Sequence, residues 1–294
     1  MDLDRLAMLA ILNDESRSDV RNLITRLVAK PVSEVQGILD ESLKRMSEHT
    51  LIIATGDLVR QIMKECSSES ITRYSRVIGD YLDRGVNVLT FWDDRYPSQL
   101  RKIAHPPLIL YVRGSRFPGS SRIAMVGTRE ASEKGIELAF EFARDLADRK
   151  KTIVSGLARG IDASAHLGAL SAGGTTLAIL AGHVDHVFPP QNEPLFQEIV
   201  SNGALVSEIT SEAMIHKGRF VERNRITSGI SDSILIVETG GSGGTLHQAK
   251  FALGQNRQVF VVNQGVFHDR RAEEGYNLLL KMGAVGIGSP DEIL

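Results

Sequence analysis

From Arg122 onward the chain repeats one unit: a short apolar run rich in β-branched residues, a polar turn, and a stretch with helical spacing. The runs fall at 123–126, 153–154, 177–180, 204–206, 234–237 and 259–262, and none alternates apolar with polar residues. Strands of that kind are buried on both faces, so helices must cover the sheet above and below. The clearest helical stretch sets Ile136, Ala139, Phe140, Ala143, Leu146 and Ala147 at helical spacing. Strand and helix in strict alternation leave few solutions. The expected one is an α/β fold with a doubly wound, mostly parallel, Rossmann-like sheet.

In such a sheet the loops leaving the carboxyl ends of the strands open on one edge, where ligands bind. The most informative loop is Ser155-Gly156-Leu157-Ala158-Arg159-Gly160-Ile161-Asp162, a glycine-rich turn with one arginine between a strand and a helix. Glycines bring backbone N–H groups close to an anion, the helix N-terminus adds partial positive charge, and arginine offers a planar fork of donors. The other loops are similar. The first strand ends in Gly127-Thr128-Arg129 with Ser132 behind it, and the third in Gly182-His183-Val184-Asp185. The fourth ends in Ser207-Glu208, leading to Lys217-Gly218-Arg219-Phe220 and Arg223-Asn224-Arg225, and the fifth in Glu238-Thr239-Gly240-Gly241-Ser242-Gly243-Gly244-Thr245. Turns require glycine but not arginine, so the rim is expected to take a phosphate-bearing ligand.

Composition narrows the ligand's mode of binding. With 34 Lys and Arg against 36 Asp and Glu, the net charge is −2, which excludes a generally basic nucleic-acid coat. Any affinity for nucleic acid must come from a local patch, and residues 217–225 supply four cations against Glu222. The single cysteine, Cys66, excludes an internal disulfide framework and a multi-cysteine metal site and fits a reducing cytoplasm. His183, Asp185, His186 and His247 match no compact metal-ligand spacing, so neither a metal nor a cofactor is expected. Asp2, Asp4 and Arg5 stand where a signal peptide would begin, and no long apolar span exists, so no membrane association is expected.

The first 84 residues read differently. Leu6, Leu9 and Ala10, then Val20, Leu23, Ile24 and Leu27, then Val35, Ile38, Leu39 and Leu43 recur at helical spacing, with breaks marked by Pro31 and Gly56. A small helical domain over 1–84 is expected, closing with a helix near 70–84, ahead of a Rossmann-like domain over 85–294 with an entry strand at 87–91. Arg17, Arg21, Arg26 and Lys30 are read as solvated helix faces.

The motifs Gly127-Thr-Arg129, Ser155 to Asp162 followed by Ala165-His166-Leu-Gly-Ala-Leu170, Pro190-Gln-Asn192, Ser207-Glu208, Phe220 with Arg223-Asn-Arg225, and Ser242-Gly-Gly-Thr-Leu246 occur in order. Tyr96-Pro97, Leu100, Pro106-Pro107, Leu110-Tyr111 and Gly114 precede them, and Gly275-Tyr-Asn277 and Gly283-Ala284 follow. Over 85–294 the sequence resembles the DNA processing protein A (DprA/Smf) family. The resemblance implies an extended Rossmann domain that binds single-stranded DNA and helps load a RecA-type recombinase in natural transformation. It implies a DNA pocket of Arg129, Gly156, Lys217, Phe220, Arg223, Asn224 and Arg225 with the loop Ser242, Gly243, Gly244 and Thr245. Together with the late apolar residues Val285, Ile287, Ile293 and Leu294, it also implies a homodimer. The sequence departs from the family pattern at Val221, where proline is usual, at Asn263-Gln264, where Pro-Gly is common, and in the extra glycines of the fifth loop. It ends without the winged-helix domain that many relatives append, so duplex binding through such a domain is not expected.

Two other readings of the rim stay open. Lonely-guy phosphoribohydrolases carry a Pro-Gly-Gly-x-Gly-Thr loop with a glutamate two residues on, but here His247 holds that place, and Glu208 and Glu238 are the rim carboxylates. The expectation is a binding protein, not an enzyme. The third reading is a nucleotide-sensing module using the same pocket.

Overall fold

The computed structural model describes residues 1–15, 17–47, 56–114, 121–263, 265, 267 and 270–293. The chain forms two compact units, one of Met1–Tyr96, His105–Val112 and Ser207–Met214, the other of Pro97–Ala104, Arg113–Val206 and Ile215–Leu294.

The first unit is a helical cluster of α1 (Leu3–Asp14), α2 (Ser18–Val28), α3 (Val32–Ser47), α4 (Asp57–Glu65) and α5 (Ser68–Asp83), with the pair β1 (Asn87–Thr90) and β2 (Ile109–Gly114). Pro31 and Gly56 sit directly ahead of α3 and α4, as their helix-breaking character requires. The one-sided spacing in α1 is misleading, because every residue from Leu6 to Asp14 is buried and this helix is the centre of the cluster. Its polar end is satisfied there: Asn13 accepts from Leu108 N at 2.7 Å, and Asp14 accepts from Thr210 N at 3.2 Å and Thr210 Oγ1 at 2.5 Å. Of the basic residues read as solvated, Arg17 is paired with Glu65, Arg26 with Asp57 and Lys30 with Glu34. β1 and β2 run antiparallel, with Asn87 opposite Val112.

The second unit carries β3 (Arg122–Val126), α6 (Glu133–Asp148), β4 (Thr152–Ser155), α7 (Ile161–Ser171), β5 (Thr176–Ile179), α8 (Glu193–Asn202) and β6 (Ala204–Ser207). It continues with α9 (Lys217–Gly229), β7 (Ser233–Ile236), α10 (Gly244–Gly254), β8 (Gln258–Val262), α11 (Arg270–Lys281) and β9 (Val285–Ile287). Its strands lie in the order β6-β5-β4-β3-β7-β8-β9, each parallel to its neighbours. The six apolar runs are therefore the strands expected, in a doubly wound parallel sheet. The chain steps outward from β3 to β6, then returns to place β7 on the other side of β3. That reversal puts the ligand-binding crevice of an open α/β sheet beyond the carboxyl ends of β3, β4 and β7.

Ile123, Met125, Leu235, Phe260 and Val262 from the strands pack with Ala139, Phe142, Leu146, Ile161 and Ala165 of α6 and α7. β2 and β9 are not among the expected runs. β9 has three residues with Gly286 in the middle, too short for a periodicity signal. Of the late apolar residues, Ile287 is fully buried in the core and Ile293 packs against that core. Of the late apolar residues invoked for a homodimer, Val285 stays 44% exposed, and Leu294 lies outside the described residues. Among the described residues no helix is long and apolar enough to cross a membrane.

Candidate nucleic-acid interface

A cleft of about 380 Å³ opens where the topology reverses. Gly127, Thr128 and Arg129 reach it from the end of β3, and Gly156, Ala158 and Asp162 from the end of β4. Phe220, Arg223, Asn224 and Thr227 come from α9, and Thr239, Gly240, Ser242, Gly243, Gly244 and Thr245 from the end of β7. Backbone bonds tie the loops together: Thr128 N donates to Glu238 O at 2.8 Å and Ile161 N to Thr128 O at 3.4 Å. Asn224 Nδ2 donates to Gly244 O at 3.4 Å, and Gln248 Nε2 to Asn224 O at 3.0 Å.

The floor of the cleft is a buried charge. Arg223 is 7% exposed, and its guanidinium donates to the Ile179 carbonyl while lying beneath Gly156. A Cβ at position 156 would stand 1.9 Å from Arg223 Nη1, so any larger residue there must displace the guanidinium. Burial lowers the Arg223 pKa; Asp162 opposes that shift and the nearby Arg129 adds to it. Asp162 is the countercharge, yet its carboxylate is occupied by Gly156 N at 3.1 Å and Ala158 N at 3.4 Å. Burial raises the Asp162 pKa, and Arg223 and the two amides pull it back. Gly160, just before α7, holds φ at 75° with the Thr128 carbonyl 2.6 Å from where its Cβ would be, so the turn needs glycine.

Above that floor Arg129 lies over the Phe220 ring, 5.5 Å from its centroid. The N-terminus of α10 faces the same space with no side-chain cap, since its N-cap is Gly243 at φ 113°. Its first amides are thus available to an anion. A cation, a half-buried ring and uncapped amides stand around a buried guanidinium, an arrangement of anion donors beside a flat stacking face.

Among the rim residues named from the sequence, Gly127, Thr128, Arg129, Gly156, Ala158, Asp162, Phe220, Arg223, Asn224, Thr239, Gly240, Ser242, Gly243, Gly244 and Thr245 line this cleft. The rest stand elsewhere. Ser132 caps α6, accepting from Gly135 N at 3.0 Å and donating to Glu238 Oε2 at 3.0 Å. Arg159 is exposed on the β4 loop, and Lys217 is exposed at the first turn of α9. Arg225 is half-buried, and its carbonyl accepts from Gln255. The four-cation patch over 217–225 is also corrected, because Arg219 is 6% exposed and paired with Glu222 at 3.5 Å. Asp162, unassigned in the sequence reading beyond opening a helix, is the residue that organises the loop. Among the described residues no cluster of His, Cys, Asp and Glu is placed to hold a metal.

Behind the cleft His166 is fully buried. Thr176 Oγ1 donates to the Ile153 carbonyl at 2.8 Å, so it accepts from His166 Nδ1 at 2.7 Å and fixes the neutral tautomer. Burial, with the Arg223 charge, lowers the His166 pKa from 6.5 to about 3. Between those values the unfolded chain binds a proton that the folded chain refuses, so stability is full above pH 6.5 and falls on acidification. The loss from this residue by pH 5 is expected to be about 2 kcal/mol. Urea titrations at pH 7.5 and 5 check it, with His166→Gln losing less stability across that interval than wild type.

Comparisons with known proteins agree with this architecture. The family model for DNA recombination-mediator protein A matches residues 87–294. The DNA processing protein DprA of Bacillus subtilis is 32% identical over 220 residues, 74% of this chain and 73% of that protein. Protein Smf of Synechocystis is 31% identical over 283 residues, 89% of this chain and 70% of the relative. The X-ray structure of DNA processing protein A from Streptococcus pneumoniae matches with a TM-score of 0.68 at 26% identity, over 87% of this chain and 91% of that one. The protein from Helicobacter pylori, whose structure is described for its single-stranded DNA binding mode, matches with a TM-score of 0.62 at 29% identity, over 71% and 93%. With the motifs in order, the parallel sheet and the family match, the chain belongs to the DNA recombination-mediator protein A family.

Proposed function

We propose that this cleft binds single-stranded DNA and that the protein, a cytoplasmic homodimer without catalytic activity, delivers the strand to a RecA-type recombinase during DNA processing or transformation. The observation that carries the reading is the convergence of Arg129, Arg223, Phe220 and the uncapped start of α10 on one cleft. The arginines and amides neutralise phosphate, and Phe220 stacks on whichever base is presented. A base reaches Phe220 after leaving its helical stack, which selects single strands over duplex. The single-strand binding mode described for the Helicobacter pylori relative supports the assignment.

Glycosidic hydrolysis is the competing use of such a cleft. Of the two carboxylates read at the rim from the sequence, Glu238 Oε2 accepts from both Ser132 N and Ser132 Oγ at 3.0 Å, and neither it nor Glu208 lines the cleft; the carboxylates that do are Glu130 and Asp162, the latter occupied by the amides of Gly156 and Ala158. Glu238 thus holds the capping residue of α6 in place, and the residue two beyond Thr245 is His247.

An equilibrium competition among a single-stranded oligonucleotide, the same sequence as duplex, and nucleoside monophosphates tests the reading. The strand is expected to compete at concentrations at least about tenfold below either rival, since it engages phosphate and stacking contacts together. No free base is expected to form on prolonged incubation. Binding confined to mononucleotides overturns the proposal in favour of sensing, and steady base release abolished by Glu238→Gln overturns it in favour of hydrolysis.

A further inference from the structure

The segment from Gly182 to Asn192 takes no part in the cleft, yet it presents an aromatic ring beside it. Phe188 is 47% exposed, and its ring meets that of Phe220 edge to face, with centroids 5.4 Å apart at 64°. His186 lies parallel to Phe188 at 5° with centroids 6.3 Å apart, and His183 is 5.7 Å further on. Arg129, Phe220, Phe188 and His186 therefore form a continuous row leading out of the cleft.

The segment is pinned at both ends. Asp185 is ion-paired with Arg113, and Asn192 Nδ2 donates to the Leu157 carbonyl of the glycine loop at 2.9 Å. His186 packs on Gly182, where a Cβ would stand 2.6 Å from the imidazole. A large ring held on a braced loop, nearly half in water, loses little entropy when a flat partner covers it. The row consists of π-faces and a cation, with no aliphatic side chain, which suits a nucleobase better than an apolar peptide.

We propose that Phe188 is a second base-stacking platform, receiving the nucleotide that follows the one held at Phe220. The inference rests on the single-strand reading above. Because the two rings are steeply inclined, a base on Phe188 is not stacked on the base at Phe220, and the strand turns as it leaves the cleft.

The test compares thymidine 3′,5′-bisphosphate, a single unit that fills the cleft and serves as the short strand, with an oligothymidylate of about twelve nucleotides that extends past it. Phe188→Leu keeps apolar bulk and removes the ring. It is expected to weaken the longer strand by about 5- to 150-fold, the worth of one stacked base, and to leave the short strand unchanged. Phe188→Trp is expected to bind both as wild type does. Equal affinity of wild type and Phe188→Leu for the longer strand overturns the platform, as does an equal loss for both strands or a loss shared by Phe188→Trp. If wild type binds neither strand, the single-strand reading itself fails. If wild type binds and Phe220→Ala loses both strands while Phe188→Leu loses neither, the second platform alone fails.

Discussion

Asp162→Ala is expected to lower the unfolding free energy by about 3 to 5 kcal/mol, the largest stability effect of any change in the cleft. The carboxylate does two things at once. It accepts from the amides of Gly156 and Ala158 at 3.1 and 3.4 Å, which shapes the β4 loop, and it is the negative charge facing the buried guanidinium of Arg223. Without it two amides lose their acceptor, and Arg223 is left in a low-dielectric site with Arg129 as its charged neighbour. A buried charge stripped of its partner is among the few point changes that reach this size. Asp162→Asn, which keeps an acceptor and loses the charge, is expected to fall between. Urea titration at pH 7.5 measures both, and an Asp162→Ala variant within about 1 kcal/mol of wild type contradicts the assignment.

Arg223→Met is expected to reverse the emphasis, with binding suffering more than folding. Losing a desolvated guanidinium that meets a phosphate costs about 2 to 5 kcal/mol of affinity, a factor of about 30 to several thousand. The fold loses less than in Asp162→Ala. Asp162 keeps its two amides, and its pKa is already raised by burial, so it can neutralise by taking a proton. Removing the arginine also removes the cost of burying it. Fluorescence anisotropy with a labelled strand, set beside urea titration, reads both quantities. A folded Arg223→Met variant with wild-type affinity contradicts a role for this residue in the cleft.

The layout was legible in the sequence because strands buried on both faces leave uninterrupted apolar runs, and because loops at the carboxyl ends of parallel strands must share one edge. Gly127, Gly156 and the 242–245 loop were found by that reasoning, and all line the cleft. Side-chain commitment was not legible. Ser132 sits on the right loop but spends its hydroxyl on α6 and Glu238, although a serine directly ahead of Glu133 and a helical run is itself a capping signal. Arg219 counted as a free cation until its burial and its pairing with Glu222 appeared. Both are decided by neighbours that sequence spacing does not specify. Asp162 shows the converse: its place at a helix start was visible, while its reach back to Gly156 depends on how the turn at Gly160 folds. Strand β9 escaped because three residues carry no period, and α1 was read as one-sided because a helix buried all round needs tertiary partners to be seen as such.

The claim that the cleft takes the phosphates of a single strand is tested most directly by affinity for a labelled oligothymidylate as a function of salt. Each phosphate neutralised on a single strand contributes about −0.7 to the slope of log affinity against log salt. Arg129 and Arg223 together then account for a slope of about −1.4, with any contact by Lys217 or Arg159 at the exposed rim adding to it. Arg129→Ala is expected to flatten the slope by about 0.7 and to weaken binding to every sequence alike, because phosphate contacts position a strand without reading it. Phe220→Ala is expected to cost about 1 to 3 kcal/mol with the slope unchanged, since stacking releases no counterion. A folded Arg129→Ala variant that keeps both the affinity and the slope of wild type contradicts the account.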